Sequence, residues 1–235
     1  VARVKSPDSS QLKNTTAGVL AAIAGEVPVL GAIVGTLQAG LSARQRERDE
    51  EFFAMVAASQ RMTDERVKAI AAGDDDEFVA SAHRIIREAQ ATADEGKRQL
   101  LASVLANSGS WSTISLDERE ELLPTVIQMT PVQVRLLDFL DDPRAWLARH
   151  DLEVEAQPYG ISSRGAIIDK YFRNAALGQL ADAETVSYQD LAAVAAELER
   201  LGLATPNLNT MMTPNGALDS CTTPRGKRIL AYIRG

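Results

Sequence analysis

Apolar positions recur every three or four residues along most of this chain. After the acidic run Asp74-Asp75-Asp76-Glu77, Phe78, Ala82, Ile85, Ile86 and Ala89 fall on one face of a 3.6-residue period. The same spacing predicts a helix from Arg44 to Gln60, carrying Phe52, Phe53, Met55 and Val56 inward. A shorter helix follows Thr63, with Val67 and Ile70, and Gly73 ends it. Another runs from Lys97 to Ala106 with Leu100, Leu101, Val104 and Leu105, and Asn107-Ser108-Gly109 stops it. A polar linker containing Trp111 leads to a helix over Leu116–Met129. The acids at 74–77 suit a helix start, where N–H groups are unpaired and the dipole is positive. That explains them better than a metal site does. His83 falls beside an apolar face, where a lone histidine is structural.

From Thr130 the pattern changes. Thr130-Pro131 is a cap followed by proline at the first helical position, and Val134, Leu137, Phe139 and Leu140 form the apolar stripe. Asp141-Asp142-Pro143 ends it. Residues 144–163 are less regular, with Trp146, Pro158 and Gly160. A second helix is predicted from about Arg164 to Leu177, carrying Ile167, Ile168, Tyr171 and Phe172. A third follows Ser187, with Leu191, Val194, Leu198 and Leu201, and Gly202 closes it. Leu203-Ala204-Thr205 reads as extended. Then come a turn-rich arm, Pro206–Asp219, a second extended piece around Cys221, and a final helix from Thr223-Pro224 to Arg234.

The ordered set from Thr130 to Gly235 resembles the tail of many bacterial winged-helix proteins. LAAVAAELERLGLA resembles a recognition helix turning into a two-stranded wing, and TTPRGKRILAYI a wing that returns to a helix start. Thr222 departs from the pattern, which has Leu there. The expected fold is all-α, mainly helical: a helical bundle over residues 1–125, then a winged-helix-like domain with a small β-hairpin over 126–235. A sheet of four or more strands would contradict it.

One stretch stands apart. Ala17–Leu41, AGVLAAIAGEVPVLGAIVGTLQAGL, is apolar and rich in Gly and Ala, and arginines follow at 44, 46 and 48. A membrane-spanning helix needs about 20 predominantly apolar residues. Glu26 and Pro28 divide this run into Ala17–Gly25 and Val29–Gly40, because proline removes a donor and disfavours helix before it. The expectation is a buried, close-packed hairpin with Glu26 and Pro28 at its turn. The GxxxG pair Gly31 and Gly35 would permit close helix approach. The competing reading is a latent membrane-active hairpin over residues 17–41.

Composition narrows the classes. The chain has 235 residues, 45% hydrophobic and only 5% aromatic, and a net charge of -7. Its apolar content is mainly Ala and Leu, which favours helices. The acidic balance gives no global attraction to nucleic acid or anionic lipid. The single cysteine, Cys221, permits neither an intrachain disulfide nor a cysteine-based zinc site, and a cytoplasmic location is expected. No secretory leader pattern is read in Val1–Thr16.

The expected recognition helix is poor in groove-reading groups: its non-apolar positions are Gln189, Asp190, Glu197, Glu199 and Arg200. From Pro131 to Gly235 there are 11 Lys and Arg against 13 Asp and Glu. Arg200, Arg225, Lys227 and Arg228 are the candidate nucleic-acid contacts. A protein partner or self-association fits the charge better than DNA does. No phosphate-binding loop, dinucleotide fingerprint, H-E-x-x-H or G-x-S-x-G is present. His83 and His150 are far apart, and Cys221 has no histidine near it in sequence. No catalytic, cofactor or metal residue is therefore assigned, and no enzyme is expected.

VPVLG, the arginine-rich helix start, GKRQLLASVLANS and MTPVQVRLLDFL, in that order, resemble the bacterial abortive-infection alpha-type phage-resistance proteins. The resemblance spans roughly Val27–Leu140. It implies a role in phage defence and carries over no catalytic residue. The function expected is a non-enzymatic helical interaction protein in phage defence. The alternatives are a winged-helix transcription regulator and a membrane-active effector.

Overall fold

A computed structural model describes residues 43–59, 62–72, 74–152, 162–173 and 187–235. The stretch 17–41, with Glu26, Pro28, Gly31 and Gly35, lies outside the described residues. The chain divides into two compact units. The first takes Val1–Ile127 together with Tyr232–Gly235, and the second takes Gln128–Ala231.

The first unit carries α1 (Ala43–Ala58), α2 (Asp64–Ala72), α3 (Asp76–Ala91), α4 (Glu95–Ala106) and α5 (Leu116–Gln128). In α3 the periodic residues Phe78, Ala82, Ile85, Ile86 and Ala89 are buried, as their spacing predicts. Phe52, Phe53 and Val56 of α1 are buried too, and α1, α3 and α4 pack on one another. The acid run does start a helix. Asp75 caps α3 by accepting from the Phe78 N–H at 2.9 Å, and its other oxygen takes the Ser110 N–H and hydroxyl, each at 2.9 Å. One buried carboxylate thus holds both a helix start and the loop after α4.

The second unit opens with α6 (Pro131–Asp141), whose Thr130 and Gln133 form a reciprocal capping box. Next come α7 (Pro143–Arg149) and the two-residue strand β1 (Ser162–Ser163). The segment described after β1 is a short α8 (Arg164–Ile167) that runs on as a π-helix over Ile168–Phe172. Then come α9 (Tyr188–Arg200), β2 (Met211–Met212), α10 (Pro214–Ala217) and α11 (Pro224–Arg234), the last of which ends in residues counted with the first unit. Phe139, Trp146 and Phe172 meet as an aromatic cluster with centroids 5.3–5.5 Å apart. Ser187 and Asp190 cap α9 reciprocally. Gly202 ends it with φ +67°, and the Leu203 N–H returns to the Leu198 carbonyl at 2.9 Å.

The protein is mainly helical. Among the described residues the strands are β1 and β2, antiparallel with Ser162 opposite Met212 and Ser163 opposite Met211. An isolated antiparallel bridge joins Ala204 to Thr222. Around it, the Thr205 N–H donates to Cys221 O at 2.8 Å and the Thr223 N–H to Leu203 O at 2.9 Å. No described helix is long and apolar enough to cross a membrane.

Candidate functional site

The second unit presents an arm over residues 206–219, set between Ala204 and Thr222. Its base is organised by Arg164, the first residue of α8. This side chain is buried, and its guanidinium donates to three main-chain carbonyls: Pro206 at 2.8 Å, Asp219 at 3.0 Å and Gly216 at 3.3 Å. Both ends of the arm are therefore tied to one cation. Gly165 adds a backbone bond to Leu208 O at 3.0 Å, and a Cβ there would lie 2.9 Å from that oxygen and collide with the Tyr188 hydroxyl. The anchored arm displays Met211, which at 64% is the most exposed large apolar side chain described.

Helix α9 turns Leu191, Ala195 and Leu198 inward. Gln189, Asp190, Ala193, Ala196, Glu199 and Arg200 lie exposed. Asp190 is committed to the cap, and its bond from the Ser187 hydroxyl holds its carboxyl below the usual range. Arg200 is held by Glu197 through two charge-assisted bonds, Nε–Oε2 at 2.8 Å and Nη2–Oε1 at 2.6 Å. Each partner stabilises the charge of the other: Glu197 is shifted down and Arg200 up. The one cation on the candidate recognition helix is thus neutralised by its own neighbour.

The other candidate contacts lie on the first turns of α11. Lys227 and Arg228 are exposed. Arg225 is half-buried and reaches Leu201 O at 3.5 Å, beside the C-terminal end of α9. A cation there is favoured by the helix dipole, which gives it a structural use. Gly31, Gly35, Glu26 and Pro28, outside the described residues, are not placed against these.

Several buried cations escaped the reading of the sequence. Arg119 is buried in the first unit between the Ser108 carbonyl and the Glu77 carboxylate. Lys97 is buried at the C-terminal end of α5, where its ammonium donates to the Val126 carbonyl at 3.3 Å and to that of Ile127. Desolvation pushes its pKa down. In local sequence each of these reads as a solvated charge on a polar face, since the carbonyls that receive them come from distant segments.

Burial pushes the Cys221 thiol up, away from the reactive thiolate. His150 stacks on Trp146 with centroids 4.0 Å apart, and His83 is exposed. No group of three or more His, Cys, Asp or Glu is placed to hold a metal ion among the described residues. No family model matches the chain, and no curated protein or solved structure matches it.

Proposed function

We propose that this chain is a non-enzymatic interaction protein of phage defence whose second unit is a winged-helix module used for protein contact. The module reading rests on element order: α6, β1, α8 with its π-turn, α9, the Ala204–Thr222 bridge and α11. The phage-defence reading rests on the resemblance carried by VPVLG, GKRQLLASVLANS and MTPVQVRLLDFL.

One observation carries the choice of protein over DNA. The exposed face of α9 offers Ala193, Ala196 and Glu199, and Arg200 is spent on Glu197. Affinity for duplex DNA comes largely from phosphate neutralisation, and base reading needs donors long enough to enter the groove. This face offers one such donor, Gln189, and its one cation is already paired. An arm without a cation, displaying an exposed methionine, is better suited to an apolar recess on a protein.

The test pairs two assays. Cells expressing the chain are challenged with a phage panel, alongside cells expressing Ala193→Arg or Glu199→Lys. Protection by the wild type, lost in variants that keep the wild-type circular dichroism, is expected. Equal plaque counts with and without the chain would overturn the defence role. In parallel, duplex DNA is titrated at low salt. Salt-sensitive binding, abolished by joint alanine substitution of Arg225, Lys227 and Arg228, would make it a transcription regulator instead. Dye release from liposomes by the purified protein would favour the membrane-active reading of residues 17–41.

A further inference from the structure

The first unit is completed by residues from the far end of the sequence. Tyr232 is fully buried. Its hydroxyl lies 2.8 Å from Ser108 Oγ. Ser108 Oγ also sits 2.7 Å from Val104 O, a carbonyl that can only accept, so the serine proton is used there. The tyrosine is therefore the donor in its bond to Ser108. Asn107 Nδ2 donates to Tyr232 O at 3.2 Å and Ile233 O at 3.1 Å. Both Asn107 and Ser108 are buried.

The local electrostatics explain this choice of groups. Asn107 is the C-cap of α4, and the carbonyls it receives belong to the C-terminal end of α11. Two helix C-termini, each carrying partial negative charge, meet at one place. The end carbonyls of a helix lack partners within it and need donors from elsewhere. The Asn107 amide supplies two. Arg119 supplies a cation immediately behind, donating to Ser108 O. Burial raises the Tyr232 phenol, consistent with a dry setting.

The geometry points to a socket in the first unit, formed by Asn107, Ser108 and Arg119, that binds a helix end bearing a tyrosine and is filled here by Tyr232–Gly235 acting as a releasable latch. The named polar contacts come from a short segment, and the Asn107 and Ser108 bonds join residues 124 to 126 positions apart. Such a segment opens locally, at less cost than unfolding the helices α1, α3 and α4. Once open, the socket accepts in trans the same helix end, Tyr232–Gly235, of a second copy of this chain.

Hydrogen exchange on the full chain tests this. In Tyr232→Phe, which keeps the ring and loses only the donor, the amides of Asn107 and Ser108 should exchange about tenfold faster than in the wild type. Those of Leu100 and Leu101 in α4 should be unchanged. Unchanged rates at 107–108, or equal acceleration at 100–101, would overturn the latch, since the second result means global unfolding only. A labelled peptide of residues 224–235 is then titrated into Tyr232→Ala, whose own tail has lost its anchor. Saturable binding that disappears on adding Asn107→Ala is expected. Equal binding to the single and double variants would refute the socket. If Tyr232→Ala does not fold, the Tyr232→Phe exchange pattern decides alone.

Discussion

Gly226 in the first turn of α11 gives the sharpest test of how the second unit is assembled. A Cβ at 226 would collide with the Leu203 carbonyl oxygen, and would lie 2.7 Å from Thr222 Cγ2 and 3.0 Å from the Leu203 carbonyl carbon. Two of these three neighbours are backbone atoms, which cannot rotate away. The same Leu203 oxygen accepts from the Thr223 N–H at 2.9 Å, so relieving the collision disturbs that bond. Overpacking of this kind costs about 1–3 kcal/mol, and a lost hydrogen bond adds about 1 kcal/mol. Alanine's helix propensity gives back about 1 kcal/mol. The net expectation for Gly226→Ala is a loss of about 2 kcal/mol. In a unit of about 100 residues melting by itself, that is a fall of roughly 8–16 °C in Tm. Gly202→Ala is the control. Its φ of +67° disfavours a side chain, but nothing lies within 4 Å of a Cβ there, so the cost is backbone strain of about 1–2 kcal/mol. Thermal and urea melts followed by circular dichroism compare the two. A Gly226→Ala chain as stable as the wild type, or more stable, would refute the close approach of α11 to Leu203.

Arg164→Met should strand the Pro206, Gly216 and Asp219 carbonyls and cost about 2–4 kcal/mol. Limited proteolysis should then cut within 206–219, and an arm as protected as in the wild type would contradict its role as the clamp. Asp49 is buried beside Gln90, which donates to it at 2.9 Å, and burial raises its carboxyl above the ordinary 3.8 against the opposing pull of Gln90 and Arg48. The folded state therefore holds this proton more tightly than the unfolded chain does. The stabilisation is complete below the ordinary value and is lost as pH rises through the raised one. Asp49→Asn removes that decline, so its urea midpoint should gain on the wild type as pH rises from about 4 toward 7. Parallel midpoints across the range would contradict this.

Local pattern carried much of the fold. The α3 stripe was legible because a buried helix face repeats every 3.6 residues whatever lies opposite it. The caps at Asp75, Thr130 and Ser187 and the stop at Gly202 were legible because a helix end satisfies its stray N–H and C=O groups within a few residues. The mainly helical class followed from these. The pairing of β1 with β2 was not legible, since two residues are too short to show an alternation. The candidate contacts Arg200, Arg225, Lys227 and Arg228 could be named from the sequence, but not that Glu197 neutralises the first or that Arg225 reaches Leu201 O. Nor was the burial of Arg164, Arg119 and Lys97 legible. A charge is stable inside only where acceptors converge on it, and those acceptors are carbonyls from segments up to 55 residues away. Where helices begin, end and turn their apolar faces is written locally, because those forces act within one or two turns. That Arg164 gathers the arm and Tyr232 completes the first unit is a property of the folded chain, because each depends on distant backbone groups brought to one point.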